Sequence, residues 1–187
     1  MTRTADIRVL FVCTANECRS PFAAALAQRR AAGLPIVFES AGVEAWRRGV
    51  PETGLRHARE LGLDLTGHLS ATVHPDFLDD YDIILGLARS HLRELASMDS
   101  GISSRLFTVK QFAAWVREHP RRGDIDVRAW LGSQLPSEPR GRILSADPKD
   151  DVRDPIHRPI EDWRTMSTEL IGTIDALVEG LFPAASR

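Results

Sequence analysis

Residues 7–12 read Ile-Arg-Val-Leu-Phe-Val, apolar except for one arginine and rich in β-branched side chains. So short and continuous an apolar run suits a strand buried in a parallel sheet. The period then changes. Residues 21–32 carry Phe22, Ala23, Leu26 and Ala27 at helical spacing, and Gly33 ends the run. Residues 36–38 form a second short apolar run, and residues 50–61 read as a helix with Pro51 near its start and Gly62 after it. A third strand is expected over 81–87 (YDIILGL), then a helix over 89–96. A fourth strand is expected over 105–109, leading into a helix over 110–119. The last helix spans 160–181, with Trp163, Met166, Leu170, Ile174, Leu177 and Val178 on one face.

Strand alternates with helix along most of the chain. That order implies right-handed crossovers and an α/β fold: three layers in a single domain over 1–187, a four-stranded parallel sheet flanked by helices. Sites in such sheets lie beyond the C-terminal ends of the strands. The alternation breaks over about 113–151, which is rich in Pro, Gly, Asp and Arg. A short helix is expected there over 125–131, and the stretch reads as a long excursion, not a second domain. Trp115 and Trp130 with Arg121, Arg122, Arg128, Arg140 and Arg142 either form a surface for an acidic partner or cover the sheet edge.

Composition narrows the function. The net charge is −2, which argues against a general nucleic-acid binder. Of 24 cationic residues all but Lys110 and Lys149 are arginine, scattered rather than clustered. No apolar run approaches the roughly 20 residues that span a bilayer, and the first residues lack a secretory pattern. A cytoplasmic protein is expected, with no membrane partner. Its two cysteines, Cys13 and Cys18, are then more often catalytic or buried than a structural framework.

Both cysteines fall in one loop, Cys13-Thr14-Ala15-Asn16-Glu17-Cys18-Arg19-Ser20-Pro21, between the first strand and the first helix. A loop there can turn backbone N–H groups inward above a helix N-terminus, forming an anion nest. Ser20 is expected as the N-cap and Pro21 as the first helical residue. Arg19 adds a planar charged fork for two phosphate oxygens. The positive field would stabilise a Cys13 thiolate, the species that attacks phosphorus.

At these residues the sequence resembles the low-molecular-weight protein tyrosine phosphatase family, whose loop reads C-x-x-x-x-C-R-S-P. Further similarity lies in ESAGVEAW (39–46), GHLSATV (67–73), YDIILGL (81–87) and DPIHRPIEDW (154–163). The resemblance implies a nucleophile at Cys13, a phosphate clamp at Arg19 and a general acid at Asp154. It implies that Asn16, Ser20, Ser40 and His68 support the loop, with Thr14, Ala15, Glu17 and Cys18 completing the phosphate cradle. Trp46, Ile156 and His157 would wall the substrate pocket. Taken alone, His68 would be an ordinary histidine and Ser40 a strand-end residue. Pro155 restricts Asp154 to extended geometry and so helps to aim it, but Asp147, Asp150 and Asp151 are rivals for the acid.

Two departures bear on substrate. Ala15 replaces a frequent glycine, and Glu17 replaces a residue that is usually apolar or threonine. The expected orientation of Glu17 is outward, to solvent; facing inward, it would favour a substrate carrying positive charge. The leading expectation is hydrolysis of phosphorylated protein side chains, foremost phosphotyrosine, through a cysteinyl-phosphate, without cofactor or metal. Phosphate and vanadate would be ligands. Phosphoarginine is the alternative substrate. Arsenate reduction is a further one; it would need a small-thiol partner, because no relay cysteine exists outside the loop. A non-catalytic phosphate-binding module fits less well, since both nucleophile and acid are present.

Overall fold

The computed structural model describes residues 6–121, 125–135, 143 and 148–183. Four strands, β1 (Ile7–Cys13), β2 (Ile36–Gly42), β3 (Ile83–Gly86) and β4 (Leu106–Thr108), form one sheet in the order β2-β1-β3-β4. Every neighbouring pair is parallel. Among the described residues the α-helices that accompany them are α1 (Arg19–Arg30), α2 (Glu52–Glu60), α3 (Arg89–Met98), α4 (Val109–Glu118), α5 (Val127–Gln134) and α6 (Ile160–Leu181). None of the described helices is long and apolar enough to cross a membrane.

The two-residue period of β1 divides the core between the faces of the sheet. Val9, Phe11 and Cys13 pack with α1, α4, α5 and α6, around Phe22, Phe112 and Trp163. Leu10 and Val12 pack on the other face with Leu92 and Leu95 of α3. The chain leaves β1 for β2 on one side and returns for β3 on the other. The crevice between them opens at the C-terminal end of β1, where Cys13 sits.

Several local expectations differ from the structure. β2 runs on to Gly42, past the end expected at 38. β3 starts at Ile83, because the Asp82 carboxylate accepts the Arg8 N–H at 2.9 Å and Tyr81 closes a 3-10 turn over Pro75–Asp80. Ser20 is not the N-cap of α1: the helix begins at Arg19 after Cys18, without a side-chain cap. Its hydroxyl is used within the loop instead. Trp115 and Trp130 do not form an open surface. Trp130 is buried, and the two rings pack 5.2 Å apart. Arg128 binds Asp82 at 2.6 Å and the Asp6 carbonyl at 3.2 Å, so α5 is tied to the N-terminal ends of the strands, opposite the Cys13 end. Arg121 donates to the Leu181 carbonyl at 2.7 Å. Arg122, Arg140, Arg142 and Asp147 lie outside the described residues.

Candidate active site

The loop after β1 is held by its backbone to the neighbouring strand. The Cys13 and Thr14 carbonyls accept N–H groups from Val43 and Glu44 at 3.0 and 2.9 Å. Gly42 lies directly beneath. A Cβ there would fall 2.5 Å from the Thr14 oxygen and 2.9 Å from the Asn16 nitrogen, so only glycine fits.

Asn16 is the keystone. Its φ of 54° is left-handed, a conformation that asparagine tolerates. Its Nδ2 donates to Ser20 Oγ and Ser40 Oγ, both at 2.9 Å. Its Oδ1 accepts the Ala71 N–H at 3.0 Å, and its carbonyl accepts from His68 Nε2 at 2.7 Å. These contacts draw three separate segments, α1, β2 and residues 68–71, onto one buried residue. The Asn16 N–H points at Cys13 Sγ, 3.3 Å away, and Ser20 Oγ lies 3.0 Å from the same sulfur. Ser20 also reaches the Ala41 carbonyl at 3.2 Å. Its single hydroxyl proton can turn to the sulfur when that becomes a thiolate.

Arg19, at the first position of α1, is buried. One guanidinium nitrogen donates to Asp154 Oδ2 at 2.6 Å and to Thr14 Oγ1 at 3.3 Å. Its Nε is buried without a partner among the described residues. Asp154 Oδ1 accepts the Ile156 N–H at 3.1 Å, which fixes the carboxylate plane. The rival aspartates are otherwise engaged. Asp150 is ion-paired with Arg89 and bonded to Gln111, and Asp151 accepts the Arg89 N–H at 2.8 Å. Together with Val152 N–H on the Leu87 carbonyl, they anchor the segment that presents Asp154.

A narrow cleft is lined by Cys13, Ala15, Glu17, Cys18, Arg19, Asp154 and Ile156. Glu17 corrects the expected outward orientation. It is 7% exposed and lines the cleft. Cys18 is buried too, and its thiol is pushed up by burial and then by the Asp154 charge. Trp46 and His157 are not among the cleft-lining residues. Trp46 is 73% exposed in the loop after β2, and His157 stands exposed in a turn that Arg158 N–H closes on the Pro155 carbonyl. A roomier groove, lined by Arg8, His74, Phe77 and Tyr81 among others, lies on the α3 face, and no cysteine is among its lining residues.

Two contributors carry no local sequence signal. Gly42 acts by close approach across the sheet. His91 of α3 is 1% exposed and meets Thr14 Oγ1 at 3.1 Å through Nε2. Burial, and then Arg19, hold its pKa down to about 3, so it is a neutral imidazole. Among the described residues no group of His, Cys, Asp and Glu is arranged to hold a metal ion.

Several known proteins are similar to this chain. The low molecular weight protein-tyrosine-phosphatase YfkJ of Bacillus subtilis is 39% identical over 98 residues, 49% of this chain and 63% of that protein, so the match spans less than two thirds of the relative's length. A glutaredoxin arsenate reductase of Synechocystis sp. is 36% identical over 128 residues, 68% of this chain and 89% of that one. The solved YwlE arginine phosphatase from Geobacillus stearothermophilus is 27% identical, with a TM-score of 0.69 over 92% of this chain and 91% of its own. The family model described as low molecular weight phosphotyrosine protein phosphatase matches residues 8–129, from the start of β1 through the Cys13 loop, Ser40, His68 and His91. The chain belongs to the low molecular weight phosphotyrosine protein phosphatase family.

Proposed function

We propose that this chain hydrolyses phosphorylated protein side chains through a cysteinyl-phosphate on Cys13. The observation that supports it most is the convergence of a thiol, a buried arginine and a carboxylate in one cleft: Cys13, Arg19 and Asp154. An entering phosphoryl group takes Arg19 from Asp154, and the unpartnered Nε supplies a further donor to it. The Cys13 thiolate, held by the Asn16 N–H and the Ser20 hydroxyl, attacks phosphorus. The S–P bond forms, the bond to the leaving oxygen or nitrogen breaks, and that atom takes its proton from the Asp154 carboxyl. Asp154, now a carboxylate, deprotonates a water. That water attacks phosphorus, the S–P bond breaks, and its electron pair returns to sulfur as inorganic phosphate leaves.

Charge in the transition state is met by Arg19 and the loop, so the scheme asks no Lewis acid of a metal. Asn16, Ser20, Ser40 and His68 set the loop geometry, and His91 orients Thr14 against Arg19. A cytoplasmic location suits this chemistry, because a reducing compartment keeps the Cys13 thiol free. The test is hydrolysis of a small aryl phosphate by the wild type and by Cys13→Ser. The wild type is expected to turn over in excess chelator, whereas the variant binds phosphate without turnover. Equal rates for the two would sink the scheme.

A further inference from the structure

We infer that Arg89, Asp150 and Asp151 are positioning residues that aim the acid, Asp154, once a phosphoryl group has entered the cleft. The inference rests on the hydrolytic reading above. Asp154 stands in a stretch without helix or strand, between the 3-10 turn Pro148–Asp150 and α6. No regular backbone ladder sets its place. In the ligand-free state Arg19 holds the carboxylate at 2.6 Å. An incoming phosphoryl group claims that guanidinium, so this tether is gone when the proton must be delivered. The bond from the Ile156 N–H to Asp154 Oδ1, at 3.1 Å, is local to the same turn.

The segment just upstream is latched to the C-terminal ends of β3 and β4. Arg89 is the first residue of α3, and Lys110 and Gln111 stand in the first turn of α4. Arg89 is ion-paired with Asp150, and both are buried. Gln111 Nε2 donates to the same Asp150 oxygen at 3.1 Å, while its Oε1 accepts the Thr108 N–H at 3.0 Å. Asp151 Oδ1 accepts the Arg89 N–H at 2.8 Å, the cap that Ala88 has no side-chain oxygen to supply. Lys110 Nζ donates to the Lys149 and Asp151 carbonyls at 3.0 and 2.7 Å, and the Val152 N–H donates to the Leu87 carbonyl at 2.8 Å. Two carboxylates therefore meet the first turns of two helices, where negative charge is favoured. Burial holds the Arg89–Asp150 pair together, because either charge left alone there is costly.

The site thus stands on two supports. Cys13 and Arg19 are carried by β1 and α1 and locked to β2 through Asn16. Asp154 is carried by α3 and α4 through the latch. Arg19 Nη1 reaches the latched segment at the Val152 carbonyl only at 3.5 Å. As the S–P bond to Cys13 forms and the P–O bond breaks, the leaving oxygen takes its electron pair and then the Asp154 proton. Misplacing the carboxyl by about 1 Å costs up to about 10²-fold in that transfer. A leaving group that departs as a stable anion needs no proton, so loosening the latch should slow poor leaving groups and spare good ones.

The experiment measures kcat/KM, which reports the step that expels the leaving group, on phenyl phosphate and on its dinitrophenyl counterpart. The proteins are wild type, Asp150→Asn, Asp151→Ala and Asp151→Asn, each also combined with Asp154→Asn. Asp150→Asn and Asp151→Ala should lose about tenfold on phenyl phosphate and stay within about twofold on the dinitrophenyl ester. Asp151→Asn keeps an oxygen for the Arg89 N–H and should retain most of the activity. Inhibition by inorganic phosphate should be no weaker than in wild type. On top of Asp154→Asn the latch substitutions should change the phenyl phosphate rate by less than about twofold, because they act through that carboxyl. Asp151 is only partly buried, so the Asp151→Ala and Asp151→Asn pair decides if Asp150→Asn does not fold. Equal losses on both esters, a full loss persisting beside Asp154→Asn, or wild-type kcat/KM in Asp151→Ala overturns the inference while Cys13-dependent hydrolysis leaves the parent scheme standing. Equal hydrolysis by wild type and Cys13→Ser overturns both.

Discussion

Gly42→Ala perturbs the catalytic loop without altering any side chain in it. The added Cβ would lie 2.5 Å from the Thr14 oxygen, 2.9 Å from the Asn16 nitrogen and 3.0 Å from the Ala15 carbonyl carbon. All three are backbone atoms, so no rotamer change relieves the clash. Nor can β2 withdraw easily. Gly42 donates its N–H to Ala71 and accepts from Val73, each at 2.8 Å, and pairs with Cys13 in the sheet register. The loop must therefore rise, by about 0.7 Å if an ordinary carbon–oxygen contact of roughly 3.2 Å is to be restored. Overpacking of this kind costs about 1–3 kcal/mol. For a chain of this size that lowers Tm by about 2–4 °C per kcal/mol. A shift approaching 1 Å in a catalytic array costs up to about 10²-fold in rate. The expected result is a drop in kcat/KM on an aryl phosphate of about 10- to 100-fold, with weaker phosphate binding and a Tm lower by several degrees. Gly132→Ala is the control, since its Cβ would meet nothing within 4 Å. Activity within about twofold of wild type and an unchanged Tm for Gly42→Ala would refute the claim that this contact sets the loop.

Asp154→Asn should slow turnover about 10²- to 10⁴-fold for a poor leaving group and much less for an activated aryl phosphate; equal losses on both would count against its role as acid. Mild peroxide should oxidise Cys13 to a sulfenic acid that Cys18 traps as a disulfide, reversible by thiol. Mass spectrometry checks this, and Cys13 sulfonate without a Cys13–Cys18 bridge would refute it. His91 yields a pH prediction. Its folded pKa of about 3 lies below the ordinary value of 6.5, so in that window the unfolded chain binds a proton that the folded chain refuses. The folded state then loses up to about 1.4 kcal/mol per pH unit as pH falls from 6.5 toward 3, and nothing above 6.5. The stability gap between wild type and His91→Asn, from urea titrations, should shrink by about 2 kcal/mol between pH 7 and pH 5; a constant gap contradicts the neutral, buried imidazole.

The sequence by itself determined the elements and the reacting loop, because both are written in local patterns. Continuous apolar runs against helical spacing placed the strands and helices, and α6 matches its expected limits of 160 and 181. The run from Cys13 to Pro21 carried the proposed nucleophile and phosphate clamp within a few residues, so its chemistry needed no distant partner to be read. The tertiary structure decided whatever depends on which segments meet. It placed Asp154, and neither Asp150 nor Asp151, in the cleft beside Cys13 and Arg19, because Arg89 takes up both of the others. It turned Ser20 away from helix capping, because Asn16 and the Cys13 sulfur claim its hydroxyl. It brought His91 to Thr14 across 77 residues of chain, and pressed Gly42 against a loop joined to it only through the sheet. It enclosed Glu17, which in the sequence reads as a charge bound for solvent, among the residues that line the cleft with Cys13, Arg19 and Asp154. Local periodicity follows from backbone geometry along a few residues; burial and partnership are properties of the packed whole.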